Sequence, residues 1–412
     1  MNKKKVKIQS LLSKPNVIVS TILLVLIIPL CVNLPSVQAF TPNDPIGDPW
    51  HLDAIKIHSV WDYGYYFQAP DAVGLCVIGY AITDVQNGDL NVTEKASFGW
   101  NGDFSSYLPY PTSEASSHEG AVASVAASTI NNGIGVAGIV NAPLYSAWLW
   151  SVYPSDTVFS YRMYIQQLID TFDWGASFGK MVFTMSFLAT VYQLEDDDAK
   201  LVELRDKVSD LYESGEALFF AGIDNVLCPL HPKDVPQSLP YVRAIGRFDS
   251  SGTFLEGGYG EPLFLVAPTG VPAYMQASNS YGSFGGSSCA TPIAAAAAVL
   301  LWNQFPWATN TQIEDALCWG ATDILESGWD EKSGYGMLDV EKAREYLAEY
   351  VPSANTYRLN RTDMSGITTT TTSNTDPTNT TNPDLPLVPI VIGISISITA
   401  ITITIVAKKR RN

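Results

Sequence analysis

One serine in this chain stands where its surroundings could make it reactive. Gly285-Gly286-Ser287-Ser288-Cys289-Ala290-Thr291-Pro292 leads into Ile293 and five successive alanines, Ala294 to Ala298. The small-residue turn delivers Ser288 to the start of a helix, and Pro292 suits a first helical turn because its missing N–H costs nothing there. The alanines, followed by Val299, Leu300 and Leu301, leave no polar face, so this helix is predicted to be buried. At its N-terminus, backbone N–H groups and the helix dipole favour negative charge. An acyl-transfer nucleophile needs such a place, because charge develops on the substrate oxygen during attack. A serine that only caps a structural helix is the plain alternative. A second candidate chemistry, zinc bound through His-Glu-x-x-His, is suggested by His118-Glu119. It fails because position 122 is valine, so the second ligand on that helix face is absent.

The elements that must position such groups alternate along the chain. Val73 to Ile78 is a short apolar run suited to a buried parallel strand. Arg162 to Phe172 is amphipathic and Met181 to Phe187 reads as a strand. Asp198 to Ser214 carries Leu201, Leu204, Val208 and Leu211 at helical spacing, and Ala217 to Gly222 is the next strand. Tyr241 to Phe248 and Leu263 to Pro268 supply two more strands, and Thr311 to Leu317 is an amphipathic helix. Alternation of this kind predicts an α/β architecture, a parallel sheet covered by helices on both faces.

The serine string is similar to the G-T-S-x-A-x-P nucleophile motif of the subtilisin-like serine proteases, with Ser288 as nucleophile and Ser287 replacing a threonine. Other segments resemble the same family in the same order. They are Thr41-Pro42-Asn43-Asp44-Pro45 with Trp50-His51-Leu52, then His118 to Ala127 with Asn131-Asn132-Gly133-Ile134-Gly135-Val136-Ala137-Gly138. Leu265-Val266-Ala267-Pro268-Thr269-Gly270 and Gly334-Tyr335-Gly336-Met337-Leu338-Asp339 complete the set. The resemblance covers about residues 41–350 and implies a subtilisin-like three-layer fold with a doubly wound, mostly parallel sheet. It also implies His118 as the base and Ser186, Phe187 and Leu188 as lining of the substrate cleft. Two family positions differ. Gly79 stands where the family has its catalytic aspartate, and Ile223 where it has the asparagine of the oxyanion hole. The resemblance further implies a structural calcium ion held by Asp44, Asp89, the Asn132 side chain and the carbonyls of Ile130, Ile134 and Val136. Hard oxygen ligands of that kind suit calcium.

Around this domain, residues 1–39 read as a secretory signal. Five lysines precede an apolar run from Val17 to Val32, and Val37-Gln38-Ala39 offers a cleavage site. The domain is placed at 40–351, a Thr/Asn/Ser/Pro stalk at 352–386, an uncharged membrane-spanning stretch at 387–407 and a basic cytoplasmic tail at 408–412. With five lysines in the leader and four basic residues in the tail, 15 Lys and Arg remain between them against all 41 Asp and Glu, a net of −26. That excess argues against nucleic-acid binding and for a protein facing outward from the cell membrane. Cys76 lies in an apolar run and Cys289 follows the nucleophile, so both are expected to be buried free thiols.

Two functions follow from these residues. With glycine at 79, no carboxylate is expected behind His118, since Glu119 is its immediate helical neighbour and adjacent helical residues point apart. Asp84 would need the loop to fold back. The first reading is therefore a weak or inactive protease homologue that binds peptides or proteins at the cell surface. Restoring aspartate at 79 and asparagine at 223 is then expected to raise activity. The second is a working serine endopeptidase that uses a substitute carboxylate.

Overall fold

A computed structural model describes residues 40–349, apart from 47–48, 69, 83–87, 100–105, 112–117 and 150–152. The signal, stalk, membrane-spanning and tail segments, and Asp84, lie outside the described residues. Among the described residues, no helix is long and apolar enough to cross a membrane.

The apolar runs form a central sheet. Its parallel strands are β1 (Gly74–Gly79), β2 (Glu94–Ser97), β3 (Leu144–Trp148), β4 (Met181–Met185), β5 (Ala217–Gly222), β6 (Val242–Phe248) and β7 (Leu263–Pro268). They lie in the order β7-β6-β5-β4-β1-β3-β2, and a short antiparallel strand, Phe254–Leu255, also pairs with β6. Every residue of β1, β4, β5 and β7 is buried, as expected for strands covered on both faces. The chain crosses from β1 to the edge strand β2, comes back to β3 beside β1, then passes to β4 on the other side of β1 and proceeds outward from there. The order therefore reverses between β1 and β4, and a crevice opens at the carboxyl ends of strands at such a point. Gly79 ends β1 and Ser186 directly follows β4.

Helices cover the sheet. α1 (His118–Ala127) packs on α4 (Ser287–Gln304), and α4 touches β1, β4, β5, β6 and β7. α4 is buried continuously from Cys289 to Trp302, because alanine side chains let the strands approach its backbone. α2 (Val158–Ala176) and α3 (Ala199–Glu213) pack together, and α2 Phe172 stacks edge-on against Phe183 of β4 and Phe219 of β5. α2 starts at Thr157, whose side chain accepts the Ser160 N–H, and α3 at Asp198, which accepts the Lys200 N–H. Two further helices, α5 (Asn310–Gly320) and α6 (Val340–Glu349), pack against each other. The three-layer, mostly parallel architecture is the one the sequence implied. Cys76, Cys289 and Cys318 are buried and form no disulfide among the described residues, and burial pushes the Cys289 thiol up to about 12.

Candidate active site

Ser288 arrives at the crevice on the first turn of α4. Gly286, at φ +82°, is the residue before the helix, and this left-handed backbone suits glycine. Side chains on every side hold the turn. Thr269 Oγ1 donates to Gly286 O at 2.9 Å and Ser287 Oγ to Ile223 O at 2.5 Å. The Ser287 N–H donates to Asn225 Oδ1 at 2.9 Å. Ser288 itself is half-buried. Its hydroxyl makes a long, weak contact of 3.4 Å with Ser186 O, while Ser186 Oγ donates to Ser288 O at 3.1 Å. The cleft segment expected from the sequence is therefore docked on the nucleophile turn through Ser186. Phe187 turns its ring into the core against Tyr164, with its carbonyl held by the Gln237 amide, and Leu188 is half-buried.

His118 is the first residue of α1, and its ring lies edge-on to Phe284, four residues before Ser288, with centroids 5.6 Å apart. The ring does have a carboxylate beside it. Glu119 Oε1 lies 2.9 Å from His118 Nδ1, and the Glu119 side chain is almost wholly buried. The expectation that Glu119 could not reach its neighbour is therefore corrected, for two physical reasons. His118 stands at the first position of α1, and the two-carbon Glu119 stem folds back to it. Gly79 then leaves the required volume. A Cβ on Gly79 would lie 2.3 Å from Glu119 Oε1 and 2.9 Å from its Cδ. A carboxylate from α1 thus stands beside the ring, in the space that a side chain at Gly79 would take. Burial of the His118 ring lowers its pKa, but the hydrogen bond to Glu119 and its charge carry it above the ordinary 6.5. The sequence signal was the pairing of Gly79 with a glutamate beside the histidine. Neither residue conveys it alone.

Ile223 does not face the crevice. It is buried with Ala244 and Leu263 in a small separate cluster, and a Cβ on Gly257 would lie 2.9 Å from its Cδ1. The amide at the nucleophile turn belongs instead to Asn225.

The segments expected to hold calcium come together, and hydrogen bonds join several of the residues named as ligands. Asp44 accepts the N–H groups of Asn131 at 2.7 Å and Asn132 at 3.2 Å. Asp89, fully buried, accepts from Asn132 Nδ2 at 3.1 Å, Val136 N–H at 3.3 Å and Tyr281 Oη at 2.9 Å. Asn132 Oδ1 is taken by the Ile134 N–H at 2.7 Å, so its amide turns a donor toward Asp89. Among the described residues, no group of three or more His, Cys, Asp or Glu could hold a metal ion. The Ile130, Ile134 and Val136 loop is joined to the N-terminal segment directly, as in the Ile46 N–H bond to Gly135 O at 2.8 Å.

Comparison with known proteins bears on the family and the fold. The model of the subtilase family (Peptidase_S8) matches residues 82–336, more than half of the chain. The halolysin-like extracellular serine protease Nep of Natrialba magadii is 27% identical over 308 residues, 73% of this chain and 52% of that protein. The chain thus spans about half the length of Nep. Subtilisin E of Bacillus subtilis is 29% identical over 302 residues, 72% of this chain and 71% of that protein. Among solved structures, MycP1 with its N-terminal propeptide removed superposes with a TM-score of 0.56 at 17% identity, covering 74% of this chain and 98% of MycP1, a likeness of fold.

Proposed function

The chain belongs to the subtilase family, and on that premise we propose that it is a working serine endopeptidase whose triad is Ser288, His118 and Glu119. The single observation that carries the proposal is the Glu119 Oε1 contact with His118 Nδ1 at 2.9 Å, in the volume left by Gly79. Glu119 holds the Nδ1–H tautomer, so Nε2 is the basic nitrogen. His118 takes the Ser288 proton as Oγ attacks a peptide carbonyl, and the buried carboxylate stabilises the resulting imidazolium. The imidazolium then protonates the leaving amine, and water repeats the sequence to release the acyl group from Ser288. Negative charge on the tetrahedral oxygen develops at the N-terminus of α4, where the helix favours it.

The substrates are peptides or proteins, and the place of action is the outer face of the cell membrane, with the C-terminal stretch at 387–407 as anchor. The weak or inactive homologue of the first reading rested on an absent carboxylate, and the position of Glu119 removes that support. The test is fluorophosphonate labelling and peptide hydrolysis by the full chain, with Ser288→Ala and Glu119→Gln beside it. Labelling and turnover that vanish in Ser288→Ala, with kcat down by about 10⁴ in Glu119→Gln, support the triad. A wild-type chain that neither labels nor hydrolyses overturns it.

A further inference from the structure

Phe40 is held by its ring, its carbonyl and its nitrogen. The ring stacks on Tyr65, with centroids 4.8 Å apart, and lies edge-on to Trp61 at 5.8 Å. Trp61 is buried and fixed in turn by its indole N–H, which donates to Ile139 O at 2.9 Å. The Phe40 carbonyl accepts from His58 Nδ1 at 2.9 Å, and Asp53 Oδ1 lies 3.1 Å from Nε2 of the same ring. The Phe40 nitrogen donates to a carboxylate oxygen, Asp62 Oδ1, at 3.1 Å. His58 and Trp61 begin and end one short helix, and Asp62 is the residue that caps its end. Beyond Phe40 the segment is tied across the domain, by the Asn43 N–H to Asn131 Oδ1 at 3.2 Å and the Gly133 N–H to Asn43 Oδ1 at 2.8 Å.

The nitrogen that faces Asp62 is the one that a cut after Val37-Gln38-Ala39 would free. Hydrolysis of the Ala39–Phe40 bond by a signal peptidase consumes one water. Its OH joins the Ala39 carbonyl carbon, and its other hydrogen goes to the Phe40 nitrogen as the C–N bond breaks. Proton transfer from the new carboxyl group then gives a carboxylate and an α-ammonium. An amide N–H makes an ordinary hydrogen bond to Asp62, whereas an ammonium makes a charge-assisted one, roughly twice as strong. Asp62 is exposed and Phe40 half-buried, so water solvates the remaining ammonium hydrogens.

We propose that Phe40 is the first residue of the processed chain, and that its α-ammonium is received by Asp62 while His58, Trp61 and Tyr65 hold the residue in place. Removal of the leader thereby seats the N-terminal segment on the domain. The proposal rests on the reading of residues 1–39 as a secretory signal and is independent of the triad. The titratable groups that meet Phe40 are Asp62, His58 and Tyr65, with Asp53 behind His58.

The experiment produces the full chain in a secreting host and reads the first residue of the isolated protein by terminal sequencing. The α-amine is then tagged by reductive methylation with labelled formaldehyde, and NMR follows its titration in folded and urea-unfolded protein, for wild type and Asp62→Asn. Sequencing is expected to begin at Phe40. In folded wild type the amine should titrate about half a unit or more above the unfolded chain, and Asp62→Asn should bring it back toward the unfolded value. An exposed ion pair contributes little to stability, so the titration of the amine itself is the primary readout. The sense of the linkage gives a second one. The pair stabilises fully below the unfolded amine's pKa, about 8, and its contribution is lost as pH rises through the higher folded value. The melting temperature of Asp62→Asn should therefore approach that of wild type between about pH 7 and pH 10. A first residue other than Phe40, or a chain that keeps its leader, overturns the proposal. So does an amine that titrates alike in folded and unfolded protein, or one that Asp62→Asn leaves unmoved. A chain that starts at Phe40 with the raised titration but hydrolyses no peptide supports this proposal and overturns the triad alone.

Discussion

At the scale of single residues, Gly79 and Glu119 form one unit, and their substitutions are coupled. Gly79→Asp, which the sequence alone would recommend as a repair, places a Cβ 2.3 Å from Glu119 Oε1. It should therefore lower kcat/KM and push Glu119 away from the ring, whereas Gly79→Asp combined with Glu119→Gly should recover activity relative to the single change. Steady-state kinetics on the three variants checks both statements. The pH dependence follows from the same pair. Attack needs neutral His118, whose pKa is raised, so the acid limb of kcat/KM should have its midpoint above 6.5. In Glu119→Gln the limb should move to lower pH, since the charge that raises the pKa is lost, a neutral amide accepts more weakly, and burial of the ring remains. The stability linkage has the opposite sense to activity. Protonated His118 favours the folded state below its unfolded pKa, and that contribution disappears as pH rises through the raised folded value.

At the scale of elements, α4 does two jobs that constrain each other. Its alanines set how closely the sheet approaches, and that distance fixes where Ser288 emerges. Ala295 is fully buried, so Ala295→Leu should destabilise the fold by about 1–3 kcal/mol through overpacking. Chemical denaturation measures this, and a stability unchanged by leucine would mean slack in the packing around α4. The contact of β6 with α5 depends on different chemistry. Arg243 grips Glu314 with two bonds of 2.8 Å, and Tyr212 Oη donates to the same carboxylate at 2.5 Å. Glu314 is buried, so Glu314→Gln leaves a guanidinium without its charge partner and should cost about 3–5 kcal/mol. Arg243→Met with Glu314→Leu should cost much less, because both charges leave the interior together.

At the scale of the whole molecule, the N-terminal segment, the loop of residues 130–136 and the strand Ser280–Phe284 converge on Asp44 and Asp89. The carboxylates bond to amide and hydroxyl donors, and these hydrogen bonds tie the junction together. EDTA should leave the melting temperature unchanged. Asp89→Ala should lower it, since the Asn132 amide, the Val136 N–H and the Tyr281 hydroxyl each lose an acceptor in a buried place. A melting temperature that falls with EDTA and recovers with added calcium would restore the cation to this junction.

Much of this was written in local pattern. The apolar runs became β1, β4, β5, β6 and β7 within a residue or two, because burial on both faces demands continuous apolar sequence. The helix carrying Ser288 was legible because glycine, serine and alanine leave few other uses for such a string. Local pattern could not show which side chain fills a volume that another residue gives up. Gly79 and Glu119 are 40 positions apart and meet only when α1 lies across the end of β1. Asn225 and Arg247 likewise meet only because β5 and β6 are neighbours. The oxygen-bearing residues around Asp89 were equally visible, but whether they face a cation or one another depends on the Asn132 amide, which the Ile134 N–H orients. Sequence decided the sheet, the buried helix and the serine at its head. Only the tertiary structure decided which carboxylate and which amide stand beside that serine, because those contacts join groups that no chain-local rule relates.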